Sequence, residues 1–111
     1  LSRELLDHQL DEKLPYLERV FVYLPFEHSE NLDDQNRSVE VMEKLVEQAN
    51  ADPKIDEQLR DFLQFARKFS HEHRQVIERF GRYPHRNVVL QRTPTEEEEI
   101  YLREGGSRFG Q

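Results

Sequence analysis

Apolar residues recur along the chain at three- and four-residue steps. Nowhere do they alternate as a half-buried strand requires. The clearest stripe is Leu59, Phe62, Leu63, Ala66, Phe69, His73, Val76, Ile77 and Phe80, which predicts a helix over 55–80. Gly81 follows as a C-terminal cap, and Arg79 suits a last turn. A second stripe, Ser38, Val39, Met42, Leu45, Val46 and Ala49, predicts a helix over 34–50. Asn31 or Asp33 caps it, and Asn50-Ala51-Asp52-Pro53 breaks it.

Between 15 and 29, Tyr16, Leu17, Val20, Phe21, Tyr23 and Leu24 put apolar groups nearly all round a helix. That pattern predicts a central helix with neighbours on several sides. Pro25 predicts a kink or an early end there. A weaker helix is expected over 3–13, where Leu6, Leu10 and Leu14 form a stripe that Leu5 widens. Pro15 marks the boundary after it. A short helix near Pro84 would carry Val88, Val89 and Leu90. A last one is expected over 94–103, with Thr93 as cap, Pro94 at the first position and Glu96 completing a capping box. The glutamates that follow stabilise that helix start and need no ligand to explain them.

The expected fold is therefore all-α, an antiparallel stack of about five or six helices joined by short loops. With 111 residues it forms one domain, 1–104, followed by a tail, 105–111, that is loose or docked through Phe109. Cysteine is absent, which excludes disulfides, thiol catalysis and thiolate metal sites. No apolar run reaches the roughly 18 residues of a membrane span. A cytoplasmic location is the expectation. The aromatic helices carry more apolar surface than so polar a chain needs. That predicts a cover for part of it: a protein partner, a second subunit or a missing N-terminal segment.

Charge sharpens the picture. Residues 1–50 hold 5 basic and 12 acidic groups, whereas 67–92 hold 7 basic and 2 acidic groups with three histidines. The basic stretch either faces the acidic first half of the chain or meets a small anion. The net charge of -7 disfavours duplex nucleic acid.

Candidate chemistry gathers in two segments. His73 occupies a slot on the apolar stripe, and a buried imidazole needs partners for both nitrogens. His71 and His73 point to different sides of a helix, so they cannot grip one ion. No metal or cofactor is assigned. Glu27, His28 and Glu30 follow the Pro25 bend and could approach His73 or His85 if the helices fold back on one another. A carboxylate beside an imidazole would serve acid–base chemistry or an internal ion network. Arg82, Arg86 and Asn87 are candidate anion contacts.

The stretches Phe21-Val22-Tyr23-Leu24-Pro25-Phe26-Glu27-His28-Ser29-Glu30 and Phe80-Gly81-Arg82-Tyr83-Pro84-His85-Arg86-Asn87 resemble those of the family called domain of unknown function 924. So do Phe65-Ala66, His73-Arg74 and Thr93-Pro94-Thr95-Glu96-Glu97. The resemblance runs from about residue 15 to the end. It implies a tetratricopeptide-like helical array, and it assigns no reaction. It also implies that Glu27, His28, Ser29, Glu30, Gln35, Arg37, His73, Arg82, Pro84, His85, Arg86 and Asn87 are signature positions. The family's upstream part has no counterpart here, so the chain would correspond to a C-terminal portion.

Two uses follow. One is a helical scaffold or interaction domain whose polar corner organises packing. The other is an enzyme for a small anionic substrate, with His28 or His85 as base and Arg82 with Arg86 as clamp.

Overall fold

The structure is a computed structural model and describes residues 1–109. Among these residues there are five α-helices and no strand. They are α1 (Ser2–Asp7), α2 (Tyr16–Glu27), α3 (Leu32–Ala51), α4 (Glu57–Phe80) and α5 (Glu96–Arg103). Short 3-10 turns occupy Leu10–Lys13 and Pro84–Arg86.

Side-chain pairs reveal how the long helices run. On α4, Arg74 donates to Asn36 of α3 at 2.6 Å. Further back along α4, His71 and Arg67 both meet Glu43. Numbers rise on one helix as they fall on the other, so the two are antiparallel. Likewise the start of α2 meets the end of α3: Tyr16 donates to Asp52 at 2.9 Å and Arg19 to Gln48 at 2.6 Å. Helix α3 therefore lies between α2 and α4. It buries Gln35, Ser38, Met42, Leu45, Val46 and Ala49 against them. Asn31 is its cap, accepting from the amides of Asp33 and Asp34.

The molecule measures 49 × 29 × 19 Å. Its thinnest dimension holds about two helix diameters. Such a slab cannot enclose an all-round apolar helix. Phe21 on α2 remains 61% exposed, and Phe65 on α4 60%. Helix α2 does meet neighbours on several sides, α1, α3 and α4, as its pattern predicts, but they leave Leu17 and Phe21 uncovered. An apolar groove of about 160 Å³ lies between α2 and α4, lined by Phe21, Leu24, Met42, Phe62, Phe65 and Phe69.

Four local expectations change. The first helix stops at Asp7 because Gln9 turns left-handed, with φ 56°. That turn resets the helical phase, exposing Leu10 and burying Asp11. Asp11 then accepts the Tyr23 hydroxyl at 2.7 Å, and burial plus this carboxylate raise the Tyr23 pKa. Pro25 does not stop α2 at once, since the helix continues to Glu27. The cap of α5 is Thr95 with Glu98, a full capping box, rather than Thr93 with Glu96. Val88, Val89 and Leu90 are exposed and lie outside any helix.

Gly81 ends α4 as expected, with φ 73° and its amide on the Ile77 carbonyl at 2.8 Å. A residue with a Cβ would be strained in that left-handed turn. The turn sends the chain back towards the end of α2. A second small core forms there from Val76, Ile77 and Tyr83, with Phe80, Tyr101 and Phe109 packed on it.

Candidate functional site

The polar corner is the place where three pieces of chain meet. Helix α2 ends at Glu27, and His28 is its C-cap. The buried middle of α4 contributes His73. The loop after Gly81 contributes Tyr83, His85, Arg86, Asn87 and Arg92. The two candidate segments do come together. The His28 and His73 rings lie 6.1 Å apart, and Tyr83 lies 5.7 Å from His73 and 5.6 Å from His85.

Most of the corner is paired within the chain. Glu30 receives Arg92 at 2.8 and 3.1 Å, and the Tyr83 amide at 2.6 Å. Burial alone would raise its pKa. The bonds from Arg92 and Tyr83 outweigh that and hold it below the usual carboxylate range. Arg82 grips Glu98 through two bonds, 2.8 and 2.6 Å, and reaches the Thr93 carbonyl at 2.9 Å. Those bonds, with the Thr95 amide and Asn87, hold the Glu98 carboxyl down at about 2 against the effect of burial. Arg86 donates to the His28 carbonyl at 3.0 Å and covers the Tyr83 ring at 4.6 Å. The Asn87 carbonyl oxygen accepts from Arg92 at 3.0 Å.

Two groups differ from this pattern. The Glu27 carboxyl is buried, and burial pushes its pKa up to about 7. No Lys or Arg among the described residues pairs with it. Its ionic contact is His73 Nδ1 at 3.7 Å. His73 itself is pushed down to about 4, chiefly by burial, then by the charges of His28, His85 and Arg86; its bond to the Phe69 carbonyl opposes the shift. The imidazole is therefore neutral near pH 7, and its contact with Glu27 is not an ion pair. Burial, then Arg86, also lowers the pKa of His28.

Phe109 closes the corner from the tail. Its ring stacks on His73 with centroids 3.7 Å apart and meets Phe69 edge-on at 5.4 Å. A cavity of about 30 Å³ remains among His28, His73, His85, Arg86, Phe69 and Phe109. That is room for roughly one water. As potential cation ligands, Glu27, His28 and His73 each place a donor atom within 4.8 Å of the others.

Not every signature position joins the corner. Arg37 pairs with Asp7 at 2.7 Å and covers Phe26, on another face. Ser29 donates to Asp34 at 2.8 Å, a local bond at the start of α3. His71 pairs with Glu43 at 2.7 Å, away from His73, in keeping with their spacing. Sequence reasoning missed Arg92, Glu98 and the Tyr83 hydroxyl. Arg92 and Glu98 lie in segments read as a loop and as a generic acidic helix start. The signal for Tyr83 was an aromatic ring with a hydroxyl beside a predicted helix end, where orphan carbonyls need donors.

Comparison places the chain among known proteins. No curated protein matches it. A solved structure of a protein of unknown function from Agrobacterium tumefaciens is similar, at 34% identity and a TM-score of 0.73. The match covers 94% of this chain and 49% of that one, so this chain spans about half the length of its relative. No α-helix among the described residues is long and apolar enough to cross a membrane. The model of the family described as "Bacterial protein of unknown function (DUF924)" matches residues 1–106, which extends the likeness back through α1, and the chain belongs to that family.

Proposed function

We propose that the chain is a helical scaffold for protein contact, that it works in the cytoplasm, and that its His/Glu/Arg corner is a structural joint. One observation carries the reading: Arg82 and Arg92 each grip a carboxylate of the same chain through two bonds. An arginine clamp for a substrate needs free donors. Of the three side chains read as anion contacts, Arg82 is engaged internally, Arg86 lies over Tyr83, and Asn87 is buried with its oxygen on Arg92. An anion would have to displace those bonds. This pairing favours a joint over the acid–base enzyme.

The contact face in this reading is the apolar groove between α2 and α4. Its occupant is an amphipathic helix, the partner that best fits a gap between two helices. The solved relative has about as much chain again outside the matched part, which is a source for such a helix. Exposed Phe21 and Phe65 would be its anchors.

The test uses two sets of variants. Arg82→Ala and His73→Ala should lower the melting temperature by several degrees. Phe21→Asp with Phe65→Asp should leave it nearly unchanged but remove binding of an apolar fluorescent dye. Unchanged melting of both corner variants would overturn the joint. Undiminished dye binding would overturn the groove as the contact face.

A further inference from the structure

We propose that Glu27, His28 and His73 form a site for one zinc-like transition-metal dication. One donor atom from each lies within 4.8 Å of the other two. Donors around a tetrahedral zinc stand about 3.3 Å apart, given bonds near 2.0 Å. Closing the remaining distance takes modest side-chain rotation. The exposed His28 ring, on a helix cap, is free to supply most of it.

The fold explains why these three meet. Glu27 and His28 are neighbours at the C-terminal end of α2, and His28, the C-cap, keeps helical backbone (φ -82°, ψ -9°) with its amide on the Leu24 carbonyl. His73 is then the buried residue of α4 opposite both.

The chemistry of the set fits a metal better than a structural pair. A buried carboxylate without a Lys or Arg partner is costly, and a bound dication compensates it. His73 Nδ1 bonds the Phe69 carbonyl at 2.8 Å. That outer bond is the type that orients ligating imidazoles; since the same Nδ1 lies 3.7 Å from Glu27, the nitrogen left with a lone pair for the ion is Nε2. Phe69 and Phe109 supply an apolar shell around His73. The small cavity bordering His28 and His73 has room for a water as a further ligand. Two imidazoles with one carboxylate select zinc or cobalt over magnesium or calcium, which demand oxygen ligands. Arg86 is the opposing charge, lying within hydrogen-bond reach of the His28 carbonyl. It limits affinity.

The test is titration of the chelator-treated full chain with zinc chloride by calorimetry, and with cobalt chloride by visible absorption. The expected result is one site of micromolar or tighter affinity. Its cobalt spectrum should have the strong visible bands of a low-coordinate ion. Glu27→Gln and His28→Ala should each weaken binding about 100-fold or more. His71→Ala should not, which separates the site from the exposed His71–Glu43 pair. No binding at micromolar metal would overturn the proposal. So would binding that survives both Glu27→Gln and His28→Ala, or binding that only His71→Ala removes.

Discussion

The Tyr83 hydroxyl accepts a hydrogen bond from the Gln35 side-chain amide at 2.7 Å, across 48 residues of chain. It also donates to the Glu27 carbonyl at 2.5 Å, while the two hydrogens of the Gln35 amide are shared among this hydroxyl, the Glu27 carbonyl and the Ser29 carbonyl. The two side chains together satisfy backbone acceptors left open where α2 ends. Tyr83 is fully buried, so no water can replace it. Tyr83→Phe should cost about 1 kcal/mol, because Gln35 still serves the carbonyls. Tyr83→Ala should cost about 3–5 kcal/mol, because the small core around Val76 and Ile77 also loses its ring. Urea denaturation of both variants measures the difference. Equal losses would mean that the hydroxyl, not the ring, is the working part.

The position of the last helix cap can be tested directly. The Thr95 hydroxyl accepts from the Glu98 amide at 3.1 Å, and the Glu98 carboxylate accepts from the Thr95 amide at 2.9 Å. Thr95→Ala should cost about 1 kcal/mol. Thr93→Ala should cost clearly less, since the structure uses the Thr93 carbonyl and not its hydroxyl as the Arg82 acceptor. A larger loss at Thr93 would restore the start of α5 suggested by its sequence.

Acid should weaken the joint through Glu98. Its folded pKa is about 2 against an ordinary value of 4.5. The unfolded chain therefore takes up the proton first as pH falls. The stabilisation is fully present above about pH 4.5 and is lost progressively from there down towards pH 2. Thermal melts across that window should steepen for the native chain relative to Glu98→Gln. Parallel curves would show that Glu98 gains nothing from Arg82.

The tail should act as a plug. Phe109 stacks on His73, so Phe109→Ala should open the small cavity. Histidine carbethoxylation by diethyl pyrocarbonate should then gain a site, with a fall of a few degrees in melting temperature. An unchanged number of reactive histidines would show that the ring does not shield His73.

Much of the fold is legible in the pattern of apolar residues. The stripes of α3 and α4 are long, Gly81 marks the end of α4, and the start of α3 is narrowed to Asn31 or Asp33. Helix α2 is legible as a helix but not in its exposure: periodicity says which sides are apolar, not how many neighbours exist to cover them. The break at Gln9 leaves no mark, because nothing in a glutamine announces a left-handed turn, and the Asp11–Tyr23 bond that goes with it is made with another segment. The shift of the α5 cap from Thr93 to Thr95 has the same origin. Both threonines offer a capping hydroxyl, and Arg82, arriving from another segment, selects the start at which Glu98 serves both the cap and the guanidinium. The candidate site follows suit. Histidines at special positions were visible in the chain. The arginines that neutralise their neighbours were visible only as charge, because pairing over 62 residues depends on the return turn at Gly81.

The account rests on the joint between the end of α2 and the loop before α5. Its most direct test is a double-mutant cycle on Glu30→Gln and Arg92→Met, read by urea denaturation. Each single change should cost about 2 kcal/mol, since a partly buried charge loses its partner. The double variant should cost markedly less than the sum, with a coupling of about 1–3 kcal/mol. Losses that add to within about 0.5 kcal/mol would mean that the two side chains act independently, and the joint would not exist.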